Sequence, residues 1–201
     1  MIALPLPGMA AISLGAVRVI GGELRGRRLS VPAGSSLRPT TDRVREAVFD
    51  ILYSLGGVEG RRVADLFCGT GALGIEALSR GATSATFVDR DLAALEAVRA
   101  NLVAVGLGDA EQTGEATCIR GDAADWASGT VARFDVVFCD PPYDYDGWDR
   151  LVSQLPADLG VLESRDPIEP PSGWEVLKSK RYGGTIVTVV RVGRAAQKGL
   201  S

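Results

Sequence analysis

Short apolar runs alternate with helical patterns from residue 62 onward, and this alternation restricts the fold more than any other feature of the chain. It is typical of a parallel sheet built from strand–helix–strand units. We therefore predict an α/β fold with a doubly wound, mostly parallel sheet. The predicted strands cover residues 63–67, 85–88, 116–119 and 134–139, and the predicted helices between them cover residues 72–80, 92–105 and 123–127.

A second group of elements follows the fourth predicted strand. A helix is expected near residues 148–155, followed by strands at 160–163, 174–181 and 185–192. The pair Gly183-Gly184 separates the last two strands and is typical of the tight turn of a β-hairpin. The prediction is thus a seven-stranded sheet that ends in an antiparallel hairpin.

The N-terminal part of the chain has a different pattern. Residues 1–16 are small and apolar without clean periodicity, and we predict a disordered tail there. Two short strands near residues 17–20 and 29–31 predict a hairpin, and a helix should begin after Thr41 and end before Gly56. The expected organisation is a tail (1–16), an N-terminal hairpin and helix (17–58), and a body (59–201).

Charge is distributed unevenly along the chain. Up to residue 45 there are seven arginines but only two carboxylates, whereas the whole chain carries a net charge of −3. A basic front joined to an acidic body is typical of a protein that contacts a polyanion with one end, although an arm with a solvated basic face explains the charge equally well. The seven candidates for polyanion contact are Arg18, Arg25, Arg27, Arg28, Arg38, Arg43 and Arg45.

Composition excludes several kinds of chemistry. The chain has no histidine, so neither a Ser–His or Cys–His nucleophile pair nor a histidine metal site is possible. Cys68, Cys118 and Cys139 have no paired spacing, which argues against a disulfide framework and a structural zinc site, and we expect no metal. The apolar start contains two prolines and no preceding basic residue, so we expect a cytoplasmic protein without a signal peptide or membrane span.

Acidic residues follow the four predicted parallel strands, at the sheet edge where open α/β folds bind ligands. Asp65 precedes a glycine loop of the form Gly-x-Gly-x-x-Gly (69–74), and Asp89, Asp122 and Asp140 lie at the other three strand ends. The loop alone is a weak signal that also fits dinucleotide folds. Four carboxylates repel a pyrophosphate and attract an ammonium and a sulfonium, which favours S-adenosylmethionine over NAD. Any single aspartate could instead cap a helix.

These features resemble a known family pattern. The glycine loop after an acidic strand end, together with Asp-Pro-Pro-Tyr (140–143), is similar to the class I S-adenosylmethionine-dependent methyltransferases that act on exocyclic amines of nucleobases. The agreement extends to the bacterial methyltransferases that modify the N2 amine of a guanine in 16S ribosomal RNA, and it covers nearly everything from residue 17 to residue 192. Cys68 departs from the pattern, because a small alanine is common at that position. The matching motifs are RVIGG (18–22), LRGR (24–27), LRPTTDRVRE (37–46), DLF (65–67) and GALGIEALSRG (71–81).

The resemblance implies a Rossmann-like class I methyltransferase fold and a division of roles among the residues. Asp140 and the Pro141 carbonyl would polarise the target amine, the prolines would keep the turn rigid, and Tyr143 would stack the extruded base. The arginines would bind 16S ribosomal RNA, presented in a small-subunit assembly that carries ribosomal proteins, and we expect a monomer. The predicted catalytic residues are Asp140, Pro141, Pro142 and Tyr143. The predicted cofactor-binding residues are Asp65, Phe67, Gly69, Gly71, Asp89, Asp122, Ala123 and Asp140.

Alternative functions can be compared with the same residues. Methylation of pyrimidine C5 normally needs a cysteine beside a proline, and Cys139 is followed by Asp140, so we discount it. Adenine N6 methylation of DNA or RNA uses a similar Asp-Pro-Pro-Tyr turn and is the closest rival, although the chain has no room for a large target-recognition domain. A non-catalytic RNA-binding module with an inactive body is the alternative from another class.

Overall fold

A computed structural model of the protein describes residues 12–32 and 41–192. Its N-terminal elements are β1 (Ile12–Arg18), β2 (Arg28–Pro32) and α1 (Asp42–Ser54). The remaining elements are β3 (Arg62–Leu66), α2 (Ala72–Ser79), β4 (Ser84–Asp89), α3 (Leu92–Ala104), α4 (Ala110–Thr113), β5 (Ala116–Arg120), α5 (Ala123–Gly129), β6 (Phe134–Cys139), α6 (Trp148–Ser153), β7 (Ala157–Ser164), β8 (Trp174–Tyr182) and β9 (Thr185–Val192). No helix within the described residues combines the length and apolarity that a membrane crossing requires.

The large sheet has seven strands in the order β5-β4-β3-β6-β7-β9-β8. Strands β3 to β7 pair in parallel, whereas β9 runs antiparallel to both β7 and β8. This confirms the α/β prediction with its terminal hairpin. The chain moves outward on one side of β3, to β4 and β5, and then returns to the other side with β6, so β3 and β6 enclose the crevice where doubly wound folds bind ligands.

The two faces of the sheet are covered by separate layers of apolar side chains. Along β3, Val63 belongs to one layer and Ala64 to the other, as the alternation of side chains along a strand requires. Helices α1, α2 and α3 cover the first face, and α5 and α6 cover the second. Phe49 of α1 contacts Phe138 of β6, with ring centroids 5.7 Å apart. The N-terminal part therefore shares its core with the body.

Strands β1 and β2 form the predicted antiparallel hairpin, but its bounds differ from those expected. β1 starts at Ile12, so the disordered tail predicted for residues 1–16 is wrong for residues 12–16. The structure does not describe residues 1–11. Val19 and Ile20 lie in the loop beyond the end of β1, although Val19 still exchanges backbone hydrogen bonds with Arg27 and Gly26, both at 2.9 Å.

A buried carboxylate attaches this loop to α2. Glu76, which is fully buried, accepts hydrogen bonds from the backbone N–H groups of Ile20 and Gly21, both at 2.7 Å, and from Arg80 Nε at 2.8 Å. Gly22 has a φ of +75°, and a Cβ there would lie 1.8 Å from the Ser79 carbonyl oxygen, so only glycine fits. The motifs 18–22 and 71–81 thus meet at one docking contact.

Candidate active site

A cavity of about 630 Å³ lies at the carboxyl ends of β3 to β7. The four predicted carboxylates all line it: Asp65, Asp89, Asp122 and Asp140. The volume falls within the range of pockets that enclose small molecules. Parallel strands that are distant in sequence therefore bring these carboxylates together, as the strand pattern predicted. Phe67, Gly69, Ala123, Pro141, Pro142 and Tyr143 also line the cavity.

The glycine loop between β3 and α2 has a constrained backbone. Phe67 is the one non-glycine residue with a positive φ (58°) within residues 12–32 and 41–192, and Gly69 has a φ of 52°. Gly71 is buried and is not among the residues that line the cavity, and its predicted contact with a cofactor stays a prediction. A Cβ on Gly71 would lie 3.0 Å from Val98 Cγ2 and 3.1 Å from the Phe87 ring, so packing of α2 by itself favours glycine there.

Asp89 has an orientation set by the backbone. Its Oδ2 accepts a hydrogen bond from Gly69 N–H at 3.0 Å, and its Oδ1 accepts one from Asp91 N–H at 2.9 Å. A carboxylate oxygen has two lone pairs, so each oxygen can accept a further hydrogen bond from the cavity. This arrangement suits a pair of adjacent hydroxyl groups.

Asp65 is the most buried of the four aspartates. Only 2% of its surface is exposed, and its Oδ2 accepts a hydrogen bond from Gly74 N–H at 2.9 Å. Burial raises the pKa of Asp65 well above its ordinary value, and the nearby charges of Asp140 and Asp89 raise this pKa further. A cationic ligand group in the cavity would relieve this repulsion.

Asp122 confirms that one of the aspartates caps a helix. Its Oδ1 accepts hydrogen bonds from Ala124 N–H at 2.9 Å and Asp125 N–H at 3.1 Å, at the first turn of α5. Both bonds use Oδ1, and the residue still lines the cavity. Capping and ligand contact are therefore compatible at this position.

An aromatic cluster on the cavity wall was not predicted. The Tyr145 ring packs edge-on against Phe67, with centroids 5.1 Å apart, and against Trp148, with centroids 5.5 Å apart. Phe67 and Tyr145 both line the cavity. Burial and the charge of Asp122 raise the pKa of Tyr145, so its hydroxyl stays protonated near neutral pH. The cluster gives one side of the cavity an apolar surface on which a planar ring can lie.

The Asp-Pro-Pro-Tyr segment follows β6, directly precedes the Tyr145 region in the chain, and also lines the cavity. Asp140 is half-buried and Pro141 is buried, whereas the Tyr143 side chain remains exposed over 45% of its surface. The Tyr143 hydroxyl lies 3.2 Å from Thr185 Oγ1, at the start of β9. The hairpin at the end of the sheet therefore holds a solvent-facing aromatic ring beside Asp140.

Glu163, near the end of β7, is a cavity carboxylate that the sequence analysis missed. Only 5% of its surface is exposed. The parallel register pairs Cys139 with Leu162, so Asp140 and Glu163 follow side by side on neighbouring strands. Burial raises the pKa of Glu163 well above its ordinary value, Asp140 and Asp65 raise this pKa further, and Arg45 lowers it. The sequence signal that could have identified Glu163 is its position as an acidic residue at the end of the predicted strand 160–163.

The predicted RNA-binding arginines do not form one uniform group. Arg45 is fully buried, and its Nη2 donates to the Arg18 carbonyl at 2.7 Å and to Asp42 Oδ1 at 2.8 Å, so its assignment as an RNA contact is wrong. Arg27 Nη1 donates to the Val105 carbonyl oxygen, although the residue as a whole is exposed. Arg38 lies outside the described residues. The exposed arginines of the set are Arg18, Arg25, Arg27, Arg28 and Arg43.

Asn101 links the N-terminal hairpin to the glycine loop, a role that no local sequence pattern indicated. The side chain is fully buried on α3. Its Oδ1 accepts from Ser30 N–H at 2.7 Å, and its Nδ2 donates to the Ser30 carbonyl at 3.1 Å and the Thr70 carbonyl at 3.0 Å. The basic hairpin and the cavity wall are thus held by one amide group.

Comparison with known proteins agrees with this geometry. A family model described as "Conserved hypothetical protein 95" matches residues 17–191. Ribosomal RNA small subunit methyltransferase D of Escherichia coli is 39% identical over 179 residues, covering 84% of this chain and 86% of that protein. A candidate rRNA methyltransferase of Bacillus subtilis, YlbH, is 43% identical over 175 residues, covering 86% and 91%.

Solved structures show the same architecture. The structure of yhhF, a candidate methyltransferase of Escherichia coli, superposes with a TM-score of 0.75 at 32% identity, covering 89% of this chain and 99% of that one. A hypothetical protein of Thermus thermophilus, TTHA0928, superposes with a TM-score of 0.72 at 31% identity, covering 88% and 99%. The predicted Rossmann-like class I methyltransferase fold is confirmed.

Proposed function

Because this chain belongs to the Conserved hypothetical protein 95 family of ribosomal RNA small subunit methyltransferases D, we propose that it methylates the exocyclic N2 amine of a guanine in 16S ribosomal RNA. The methyl donor is S-adenosylmethionine. The observation that carries the proposal is a single cavity that combines the strand-end carboxylates with the Asp140–Tyr143 segment. One side of the cavity suits a cationic nucleoside and the other suits a planar base.

The residues of the first side fit S-adenosylmethionine group by group. Asp89 presents two oriented carboxylate oxygens for the ribose hydroxyls, and Asp122 Oδ2 can accept from the adenine amine beside the buried Ala123. The negative potential that Asp140 and Asp89 create around buried Asp65 favours a positively charged methionine portion over a pyrophosphate. When bound, the cofactor supplies an electrophilic methyl group on a sulfonium. The Gly69 backbone and the Phe67 ring complete this side.

Asp140 and the Pro141 carbonyl supply the acceptors that the target amine needs. The lone pair of the guanine N2 amine is delocalised into the ring, so the amine is a weak nucleophile. Two acceptors aimed at its two hydrogens favour tetrahedral geometry and return the lone pair to nitrogen. Asp140 then accepts or relays the proton that nitrogen loses as the methyl group is transferred. Pro141 and Pro142 restrict the backbone that holds both acceptors.

Tyr143 provides the stacking surface for the base. A base stacked inside an RNA helix is enclosed by its neighbours and cannot enter a cavity beside half-buried Asp140, so it must leave the stack. The exposed face of the Tyr143 ring can take up the base, and the contact with Thr185 restricts rotation of the ring. The base would then lie beside Asp140.

The exposed arginines of the N-terminal hairpin supply the RNA contacts. The acidic body repels a polyanion, so the phosphates should be held where Arg25, Arg27 and Arg28 are exposed. Through Asn101 the same hairpin is bonded to the glycine loop. RNA capture and the cofactor side are thus connected by a rigid contact.

Methyl transfer to small-subunit RNA tests the proposed function. Small subunits from cells that lack this protein are incubated with tritiated S-adenosylmethionine, and the product nucleoside is identified by mass mapping. We expect N2-methylguanosine. N6-methyladenosine would favour the rival reaction, and tight RNA binding without transfer would favour the binding module.

Substitutions within the Asp-Pro-Pro-Tyr segment test the assigned roles. Asp140→Ala and Tyr143→Ala should each lower the transfer rate by about hundredfold or more, as expected for loss of a proton acceptor or of substrate positioning. Cofactor affinity should stay close to that of the parent protein, because both roles concern the base. The matched control is Asp158→Asn, an exposed carboxylate on β7 outside the cavity. Near-normal transfer by either variant would remove that residue from the mechanism.

The form of the substrate and the oligomeric state are also proposals. We infer that the protein acts as a monomer on 16S RNA within an assembly that carries ribosomal proteins. Naked 16S RNA, partially assembled particles and complete small subunits can be compared as substrates in the same assay. Light scattering measures the mass of the protein, and a dimer at assay concentration would contradict the monomer.

A further inference from the structure

Glu163 is a buried carboxylate for which the mechanism above has no use. It is almost completely shielded from solvent, yet it lines the cavity. Its Oε1 has no hydrogen-bond partner among the described residues. Buried acceptors without a partner are rare, because loss of water without a replacement hydrogen bond is unfavourable. Because Glu163 also lines the cavity, this unpaired acceptor is a candidate for a ligand contact.

The position of Glu163 assigns it to the base side of the cavity. It follows the Cys139–Leu162 pair on the strand beside Asp140, and on its other side it pairs with Val187 of β9. Thr185, two residues before Val187, contacts the Tyr143 hydroxyl. Asp140, the stacking ring and Glu163 thus border the same part of the cavity.

The edge of guanine offers a donor for this acceptor. In guanine the N1–H group is adjacent to the N2 amine, and both are hydrogen-bond donors. In adenine the atom next to the N6 amine is N1, which carries a lone pair and no hydrogen. A carboxylate beside Asp140 attracts the first edge and repels the second.

We propose that Glu163 determines specificity by accepting a hydrogen bond from guanine N1–H while Asp140 acts on the neighbouring N2 amine. This inference rests on the proposed function, and it identifies the residue that separates guanine N2 from adenine N6. Burial, Asp140 and Asp65 raise the pKa of Glu163, and the positive charge of Arg45, which is fixed by Asp42, acts in the opposite direction and favours the ionised carboxylate. The N1–H donor supports it further once the base is bound.

The alternative role for Glu163 is structural, as a countercharge for buried Arg45. A structural role and a recognition role differ in their effect on base selectivity. Loss of a structural carboxylate should lower the transfer rate to every base by the same factor. Loss of a recognition carboxylate should change the ratio between bases that differ at N1.

The test compares guanine with 2-aminopurine, which keeps the N2 amine but has an acceptor at N1 and lacks O6. The loss of O6 affects the parent protein and its variants alike, so a change in the ratio between them reports on N1. Each base is placed at the mapped target position in synthetic RNA, which is ligated into 16S RNA and assembled into small subunits. The ratio of kcat/KM for guanine to that for 2-aminopurine is measured for the parent protein and for Glu163→Gln. The glutamine amide can donate to N1 of 2-aminopurine, so this ratio should fall by about ten- to hundredfold, the effect of one hydrogen bond to a charged group.

Two controls keep the test decisive. Asp158→Asn makes the equivalent change at the other end of β7 and should leave the ratio unchanged, and cofactor affinity should show that Glu163→Gln is folded. An unchanged ratio in folded Glu163→Gln would overturn the inference. If that variant does not fold, the same ratio is measured for Glu163→Asp, which moves the carboxylate away from the base. A ratio equal to that of the parent protein would overturn the inference, and a lower ratio would support it. A parent protein that forms N6-methyladenosine, or no product, contradicts the proposed function itself.

Discussion

Removal of the Glu76 carboxylate should release the N-terminal hairpin from the body. Glu76 is fully buried on α2 and accepts three hydrogen bonds, from Ile20 N–H, Gly21 N–H and Arg80 Nε. In Glu76→Ala these donors lose their acceptor together. The two backbone groups lie in a half-buried loop, so water can replace only part of what is lost.

The expected loss of stability follows from these three contacts. Breaking a buried, charge-assisted network by removal of one partner lowers the free energy of unfolding by about 3–5 kcal/mol. Glu76→Gln keeps one carbonyl acceptor but turns an amide donor toward an N–H group, so we expect a loss of about 2 kcal/mol. With a urea dependence of about 2–3 kcal/mol per molar, the alanine variant should unfold at a urea concentration lower by about 1–2.5 M.

Urea unfolding followed by circular dichroism measures these differences. The matched control is Glu111→Gln, which breaks an exposed ion pair with Arg99 (2.9 Å) and should change stability by less than about 1 kcal/mol. Hydrogen exchange should accelerate first at the amides of Ile20 and Gly21, because these amides lose their acceptor directly. A Glu76→Ala protein as stable as the control would refute the assigned role of this carboxylate.

Three further predictions concern the cavity and the basic hairpin. Asp89→Ala should weaken S-adenosylmethionine binding by about 1–3 kcal/mol in calorimetry through loss of the ribose contact, and unchanged affinity would remove Asp89 from the site. Substitution of Arg25, Arg27 and Arg28 together by alanine should weaken RNA binding and leave cofactor affinity unchanged. The slope of the logarithm of the RNA binding constant against the logarithm of salt concentration should decrease in magnitude by roughly one for each phosphate contact that is lost. An unaltered slope would place the RNA elsewhere. Asp65→Asn should raise stability relative to the parent, measured by urea unfolding across pH.

The pH dependence at Asp65 has a definite sign. The pKa of Asp65 is raised in the folded protein, so the folded state binds the proton more tightly than the unfolded state. Ionisation of Asp65 therefore does not lower the free energy of unfolding of the parent protein at a pH below the ordinary aspartate pKa. This free energy falls as the pH rises from there through the raised pKa. Asp65→Asn removes that ionisation, so the free energy of unfolding of the variant should exceed that of the parent protein by an amount that increases with pH. An advantage that decreases with pH would contradict this account.

Local patterns in the sequence determined the elements of the sheet and the carboxylates at its edge. β6 and β9 have the predicted bounds, and the bounds of most other elements differ from the predicted ones by one to three residues. The agreement is close because the spacing of apolar residues and the capping residues, which determine where an element begins and ends, involve only residues that are near one another in the sequence. Parallel strands place their carboxyl ends at one edge whatever their order. Asp65, Asp89, Asp122 and Asp140 could therefore be assigned to one site before any strand was placed beside another.

Only the tertiary structure decided the roles of residues whose partners are far away in the chain. Arg45 shares the helical turn of exposed Arg43, yet packing of α1 against the end of β1 buries it on the Arg18 carbonyl. Gly71 is favoured by packing against the Phe87 and Val98 side chains of β4 and α3. Glu163 meets Asp140 because β7 pairs with β6. Hydrophobic periodicity reports which face of an element is buried, but the contacts made by that face depend on strand order and helix docking, which arise only when distant segments pack together.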